Sequence, residues 1–209
     1  MPELGMSQVD NKACAHLREA CVESQQVFRG NFLDVRRDQV RLPDGKLASR
    51  EYLVHPGAVA IVPLLDDGQF VLERQFRYPL GRAVIEFPAG KLGPGEDPWH
   101  CAVRELHEET GYRAREWAYA GILHNAIAYC DEGIEIWFAR GLSLGERHLD
   151  EGEFLDVFTA TPQALMAGVR DGEVTDAKTL IALLWWQQWQ AGAWPLTWQP
   201  EPAGVLSSA

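Results

Sequence analysis

Apolar and polar positions alternate over several short stretches of the chain, with turn residues between them. This pattern predicts a strand-rich core. Residues 27–35 read as a first strand, and 40–41 open a second before the turn Pro43-Asp44-Gly45, across which 50–55 pairs back. Residues 59–64 form a continuous apolar run, as expected of a strand buried on both faces. Asp66-Asp67-Gly68 turns the chain, 70–78 alternates, and 83–87 is a further short strand. Later strands are predicted at 117–123, 134–139 and 154–159. In the second of these, Ile134, Ile136 and Phe138 face one way and Glu135 and Trp137 the other. Helical signals are fewer. Residues 14–24 read as a short helix, and Asp97-Pro98 and Thr161-Pro162 each join an N-cap to a proline at the first helical position. Residues 176–190 form a longer helix with Leu180, Leu183, Leu184 and Trp185 on its core side. Mixed strands with helices on either side predict the α/β class, an α/β/α sandwich around a mixed sheet. No internal repeat is present. The pattern divides the chain into an N-terminal segment (1–25), a small β-sheet (26–56), a main domain (57–193) and a proline-rich, loosely held tail (194–209).

Residues 90–112 read G-K-L-G-P-G-E-D-P-W-H-C-A-V-R-E-L-H-E-E-T-G-Y and carry the candidate chemistry. Gly90, Gly93, Pro94 and Gly95 make a loop. The helix that starts at Asp97-Pro98 has Ala102, Val103 and Leu106 as its apolar stripe, with Arg104, Glu105, Glu108 and Glu109 off that stripe, and Gly111 as its left-handed cap. Glu105, Glu108 and Glu109 stand at i, i+3 and i+4, where like charges repel. Two readings follow from the cluster alone: a solvated acidic face, or a site whose all-oxygen donors suit a hard cation such as Mg²⁺ or Mn²⁺.

Charge and composition narrow the class. The 209 residues carry a net charge of −11, which argues against nucleic acid or an anionic membrane as a partner. No apolar run is long enough to span a membrane, and residues 1–25 lack a signal-peptide core, so a cytoplasmic location is expected. The four cysteines, Cys14, Cys21, Cys101 and Cys130, are scattered without a metal-binding spacing and are expected to be reduced thiols.

The spacing of Gly90, Glu96, Arg104, Glu105, Leu106, Glu108, Glu109, Gly111 and Tyr112 matches, position for position, the Nudix box. The chain therefore resembles the Nudix hydrolases, which use divalent metal to hydrolyse nucleoside diphosphates linked to another moiety. Flanking residues refine the resemblance: Arg50-Glu51-Tyr52, His55 to Val59, Arg74-Gln75-Phe76-Arg77, Glu86-Phe87-Pro88-Ala89-Gly90, and Asp150-Glu151-Gly152-Glu153-Phe154 are similar to the ADP-ribose pyrophosphatase branch. Tyr129-Cys130-Asp131-Glu132 fits the branch too. The proline that often stands between it and the box is missing, since none occurs between Pro98 and Pro162. GDP-mannose and other nucleoside diphosphate compounds therefore stay open as substrates, as does a sensor that binds ADP-ribose without cleaving it.

The resemblance implies the following roles. Glu105, Glu108 and Glu109, with the backbone carbonyl of Ala89, hold Mg²⁺, with Mn²⁺ as the alternative. Glu151, or failing that Glu153, is the general base. Arg77 and Glu86 contact the substrate, and Arg50 reaches it from a partner subunit. The resemblance also implies a homodimer formed through the small N-terminal sheet, and hydrolysis of a nucleoside diphosphate sugar, ADP-ribose first, to AMP and ribose 5-phosphate.

Overall fold

A computed structural model describes residues 14–202. Two compact units divide the chain. One takes the residues up to His55 together with Ala126–Asp131, and the other takes Pro56–Asn125 and the chain from Glu132 on.

The first unit is a three-stranded antiparallel meander of β1 (Ala20–Arg29), β2 (Asp34–Arg41) and β3 (Leu47–Val54). β1 begins inside the segment expected to be helical and takes its last five residues, 20–24; Ala15–Leu17 makes a helical turn, of the 3₁₀ kind. The boundary expected at residue 26 thus falls inside a strand. The turn between β1 and β2 is held by Asp34, which is buried and accepts hydrogen bonds from Gln26, Arg29 and Arg36. The Gln26 and Arg36 side chains hold the Asp34 carboxyl at about 2. Segment 126–131 is tied to β3: Leu53 N–H donates to the Tyr129 carbonyl at 2.8 Å, and His55 N–H donates to Asp131 Oδ1 at 2.7 Å. Every residue of β1 is exposed.

The second unit is built on a mixed sheet with the order β10-β5-β4-β9-β8-β11. Its strands are β4 (Ala58–Leu64), β5 (Phe70–Arg77), β6 (Arg82–Glu86), β7 (Ala89–Lys91), β8 (Tyr112–Leu123), β9 (Ile134–Leu144), β10 (Leu155–Ala160) and β11 (Gln199–Pro200). β6 pairs with β5 and β7 with β4. β4 runs parallel to β9, and the other pairings are antiparallel. Among the described residues, the α-helices α1 (Pro98–Thr110), α2 (Pro162–Arg170) and α3 (Ala177–Gln190) complete the unit. Alternation along the central strands feeds two cores. Val59, Ile61, Trp137 and Ala139 pack with Cys101, Ala102, Val103 and Leu106 of α1. Ala60, Val62, Ile134, Ile136 and Phe138 pack with Leu165 of α2 and Ala182 and Leu183 of α3. This is the expected sandwich. Deleting a fully buried leucine side chain costs about 2–5 kcal/mol, so Leu106, with no exposed surface, is a principal anchor of α1.

Two expectations change here. Leu184 is 46% exposed, and Thr179 and Ala182 take the buried positions of α3 instead. Residues 194–200, expected to be loosely held, are docked. β11 pairs with β8, Trp194 packs on Trp185, and the Arg140 guanidinium lies 3.9 Å over the Trp198 ring. Aromatic burial, with one cation–π contact, fixes a segment whose prolines suggested mobility. Residues 203–209 lie outside the described residues.

Candidate active site

The acidic helix forms as its local signals dictate. Asp97 Oδ1 accepts from the N–H groups of Trp99 and His100, Pro98 takes the first helical position, and Gly111 closes the helix at φ 76° with its N–H on the His107 carbonyl. Tertiary contacts then separate the box glutamates. Glu109 stands three residues after Leu106 and seven after Ala102, so it belongs to the inward stripe rather than lying off it, and it is 3% exposed. Its Oε2 accepts the Ala89 N–H at 3.0 Å. Glu105 packs against the backbone of β7, and a Cβ placed on Gly90 would lie 1.9 Å from its carboxylate. A side chain at position 90 would fit only if the Glu105 carboxylate moved away. We therefore predict that Gly90→Ala displaces Glu105 and abolishes most metal binding while the sheet stays folded. Near-normal Mn²⁺ titration of that variant would refute this.

Arg104 binds three of the four acids. It pairs with both oxygens of Glu96 at 2.8 and 2.9 Å, and its Nη1 reaches Glu105 at 2.7 Å and Glu108 at 2.8 Å. Glu96 also accepts the Gly93 N–H at 2.7 Å, so the glycine loop is fastened to the helix. The Arg104 hydrogen bonds hold the Glu96 carboxyl at about 2. Glu96 and Arg104 therefore act structurally.

Deeper acids are not neutralised. Burial pushes Glu105 up to about 7 even though Arg104 opposes the shift. Glu109 is raised well above the ordinary carboxylate range, by burial first and then by the charges of Glu73, Glu105 and Glu153. Glu73 on β5 is pushed to about 8 by burial and by Glu86. The folded protein holds protons that the unfolded chain releases near 4.5, so stability from these groups is complete below about 4.5 and is lost as pH rises through 7 to 8. The metal-free protein is accordingly expected to melt at falling temperature between pH 5 and pH 8, and Mg²⁺ to restore the loss. A flat melting profile in EDTA would contradict it.

The other predicted site residues separate clearly. Gly145 N–H bonds the Gly111 carbonyl and His148 N–H bonds that of Glu108, so the loop after β9 is drawn back over the end of α1. Its continuation brings in Glu153, which is half-buried, accepts a 3.3 Å hydrogen bond from Gln75 Nε2, and acts electrostatically on Glu105 and Glu109. Glu151, the first choice from sequence, is exposed on the preceding turn. Glu86 is 2% exposed. Both of its oxygens are committed, to Arg77 at 2.6 and 2.8 Å and to Lys178. Burial works to raise the Glu86 carboxyl, but the two cations outweigh it and hold it below the ordinary range. Arg50 lies on β3 of the first unit, where it pairs with Glu19 at 2.9 Å.

Sequence reasoning missed Glu73 and Gln75. The signal was the alternation of β5, which sets Glu73, Gln75 and Arg77 on one face.

As placed, no three Asp, Glu, His or Cys side chains among the described residues converge to hold an ion. The donor set nevertheless suits one. It is all oxygen, burial and acidic neighbours work against ionising it without a cation, and it includes buried carboxylate oxygens of Glu73 with no hydrogen-bond donor among the described residues.

A family model described as the NUDIX domain matches residues 54–205. The chain belongs to the Nudix family. Residues 19–53 match a second model, the nucleoside diphosphate sugar hydrolase N-terminal domain. Among relatives, an ADP-ribose pyrophosphatase of Bacillus subtilis is 40% identical over 82% of this chain and 94% of its own. A methanol dehydrogenase activator of Bacillus methanolicus is 36% identical over 83% and 95%. A crystal structure of an ADP compounds hydrolase superposes with a TM-score of 0.76 at 26% identity, covering 84% of this chain and 96% of that one. The Nudix box of this chain is thus α1 with the loop before it, and the small sheet ahead of the Nudix domain corresponds to the N-terminal model.

Proposed function

We infer that this Nudix protein hydrolyses the pyrophosphate bond of a nucleoside diphosphate sugar, with ADP-ribose going to AMP and ribose 5-phosphate. The observation that carries the reading is the carboxylate set at an intact box, with buried Glu109 and partly buried Glu105 both raised and Glu153 beside them. The relative named ADP-ribose pyrophosphatase supports the choice of substrate.

Glu105, Glu108, Glu109 and the Ala89 carbonyl would hold divalent metal, Mg²⁺ or Mn²⁺. When bound, such ions neutralise a diphosphate and make hydroxide accessible near neutral pH. The remaining work falls to the chain. Glu153 takes the proton of the attacking water, and Gln75 fixes the orientation of its carboxylate. Arg77, locked from behind by Glu86, offers the unpaired side of its guanidinium to a phosphate or the terminal ribose. Glu108, about 30% exposed and paired with Arg104, would turn to the ion in place of that partner.

The protein acts as a homodimer through its small sheet. A ten-residue strand with no buried position exposes Val22, Val27 and Phe28, which need a covering surface. Arg50 on the same sheet is the residue offered to the other subunit's substrate. A monomer by light scattering at micromolar concentration would remove this part of the proposal.

The central test incubates the full chain with ADP-ribose, GDP-mannose and related compounds in Mg²⁺ or Mn²⁺, and follows release of nucleoside monophosphate. Failure to release AMP from ADP-ribose, with turnover of another compound, would reassign the substrate. Turnover of none would defeat the reading.

A further inference from the structure

Glu73 sits in the middle of β5, opposite Glu86 of β6 on one side and Val157 of β10 on the other. It has no exposed surface, and neither carboxylate oxygen has a hydrogen-bond partner among the described residues. Burying a carboxyl group without a donor is costly, and native structures seldom leave one so. The two nearby cations do not resolve it, because Arg77 and Lys178 are both engaged by Glu86. Its other neighbours in charge are acids. Glu86 and Glu153 act on it, and it is in turn the strongest charge acting on Glu109. On the same strand face, Gln75 holds Glu153 and Arg77 is held by Glu86. One face of β5 therefore supplies, in order, an unpartnered acid, the residue that orients the base, and the guanidinium.

We propose that Glu73 is a further carboxylate of the divalent-metal site, joining Glu105 and Glu109 in receiving the cations. The proposal rests on the metal-dependent reading above. A hydrated cation supplies both things Glu73 lacks: positive charge against its acidic neighbours, and donors for its oxygens. A purely structural acid at this position would instead be expected to find its donor within the protein.

The experiment is Mn²⁺ titration of the full chain without substrate, with the free ion followed by electron paramagnetic resonance, alongside thermal melts in EDTA and in Mn²⁺. Wild type is compared with Glu73→Gln and with Glu73→Met, which keeps the length and removes every acceptor. Both variants are expected to stay folded in EDTA, to melt no lower than wild type there, and to lose about 10–100-fold in Mn²⁺ affinity. They should also lose most of the Mn²⁺-induced rise in melting temperature. Wild-type affinity in either folded variant would overturn the proposal. So would unfolding of both variants in EDTA, because that outcome makes Glu73 a structural group. Failure of wild type itself to take up Mn²⁺ would sink the metal reading, a result distinct from loss of Glu73's part in it.

Discussion

Glu109→Gln is expected to lower kcat/KM by roughly 10³-fold while leaving the metal-free protein folded and no less stable. Glu109 combines near-complete burial, a backbone donor from Ala89 on one oxygen, and three acidic neighbours. Among the described residues no ion pair offsets it, so its charge is expected to serve a bound cation. Such an ion contributes several kcal/mol of transition-state stabilisation, and about 1.36 kcal/mol corresponds to each tenfold in rate. Glutamine keeps the shape and the acceptor for Ala89 but removes the charge. Steady-state rates at saturating Mg²⁺, with a melt in EDTA, test both halves of the expectation. Activity within tenfold of wild type would take Glu109 out of the metal-holding set.

The second large effect is expected two residues from where the sequence pointed. Glu153→Gln will reduce kcat by about 10²–10⁴-fold, the range of a lost general base, whereas Glu151→Gln will change it only a few-fold. The distinction is positional. Backbone bonds from Gly145 and His148 pull the loop back onto the end of α1, and Gln75 then grips Glu153 while Glu151 faces solvent. KM for the sugar nucleotide is expected to move little in Glu153→Gln, since the base acts on water. A reversed pattern, with Glu151→Gln inactive and Glu153→Gln normal, would mean the loop rearranges on binding and would return the role to Glu151.

The legible part of this chain was the part specified by neighbours in sequence. Asp97-Pro98 and Gly111 set the limits of α1 by local hydrogen bonding and backbone geometry, and the structure keeps those limits. The apolar run in β4 and the alternation in β9 likewise placed the sheet. β1 was misread because Glu23, Ser24, Gln25 and Gln26 interrupt any alternation, and a strand exposed on both faces has none to display. β7 spans only three residues and exists through its pairing with β4. Glu73 was missed for a related reason. An acid in an alternating strand reads as the wet side, and only the tertiary fold reveals that this side is covered. The same is true of the tail, where Trp198 meets Arg140 and β11 pairs with β8, partners far away in sequence.

Arg104 has a consequence for how tightly the site can hold an ion. Its guanidinium already rests on Glu105 and Glu108, two of the oxygen donors a cation would use, and its bidentate grip on Glu96 keeps it tethered when displaced. Each arriving ion must therefore compete with a resident positive charge that never leaves the neighbourhood. The box glutamates alone would set an upper limit on the affinity for a divalent ion, and Arg104 would lower it. The arginine that stiffens the helix is also a governor on how readily the catalyst is charged.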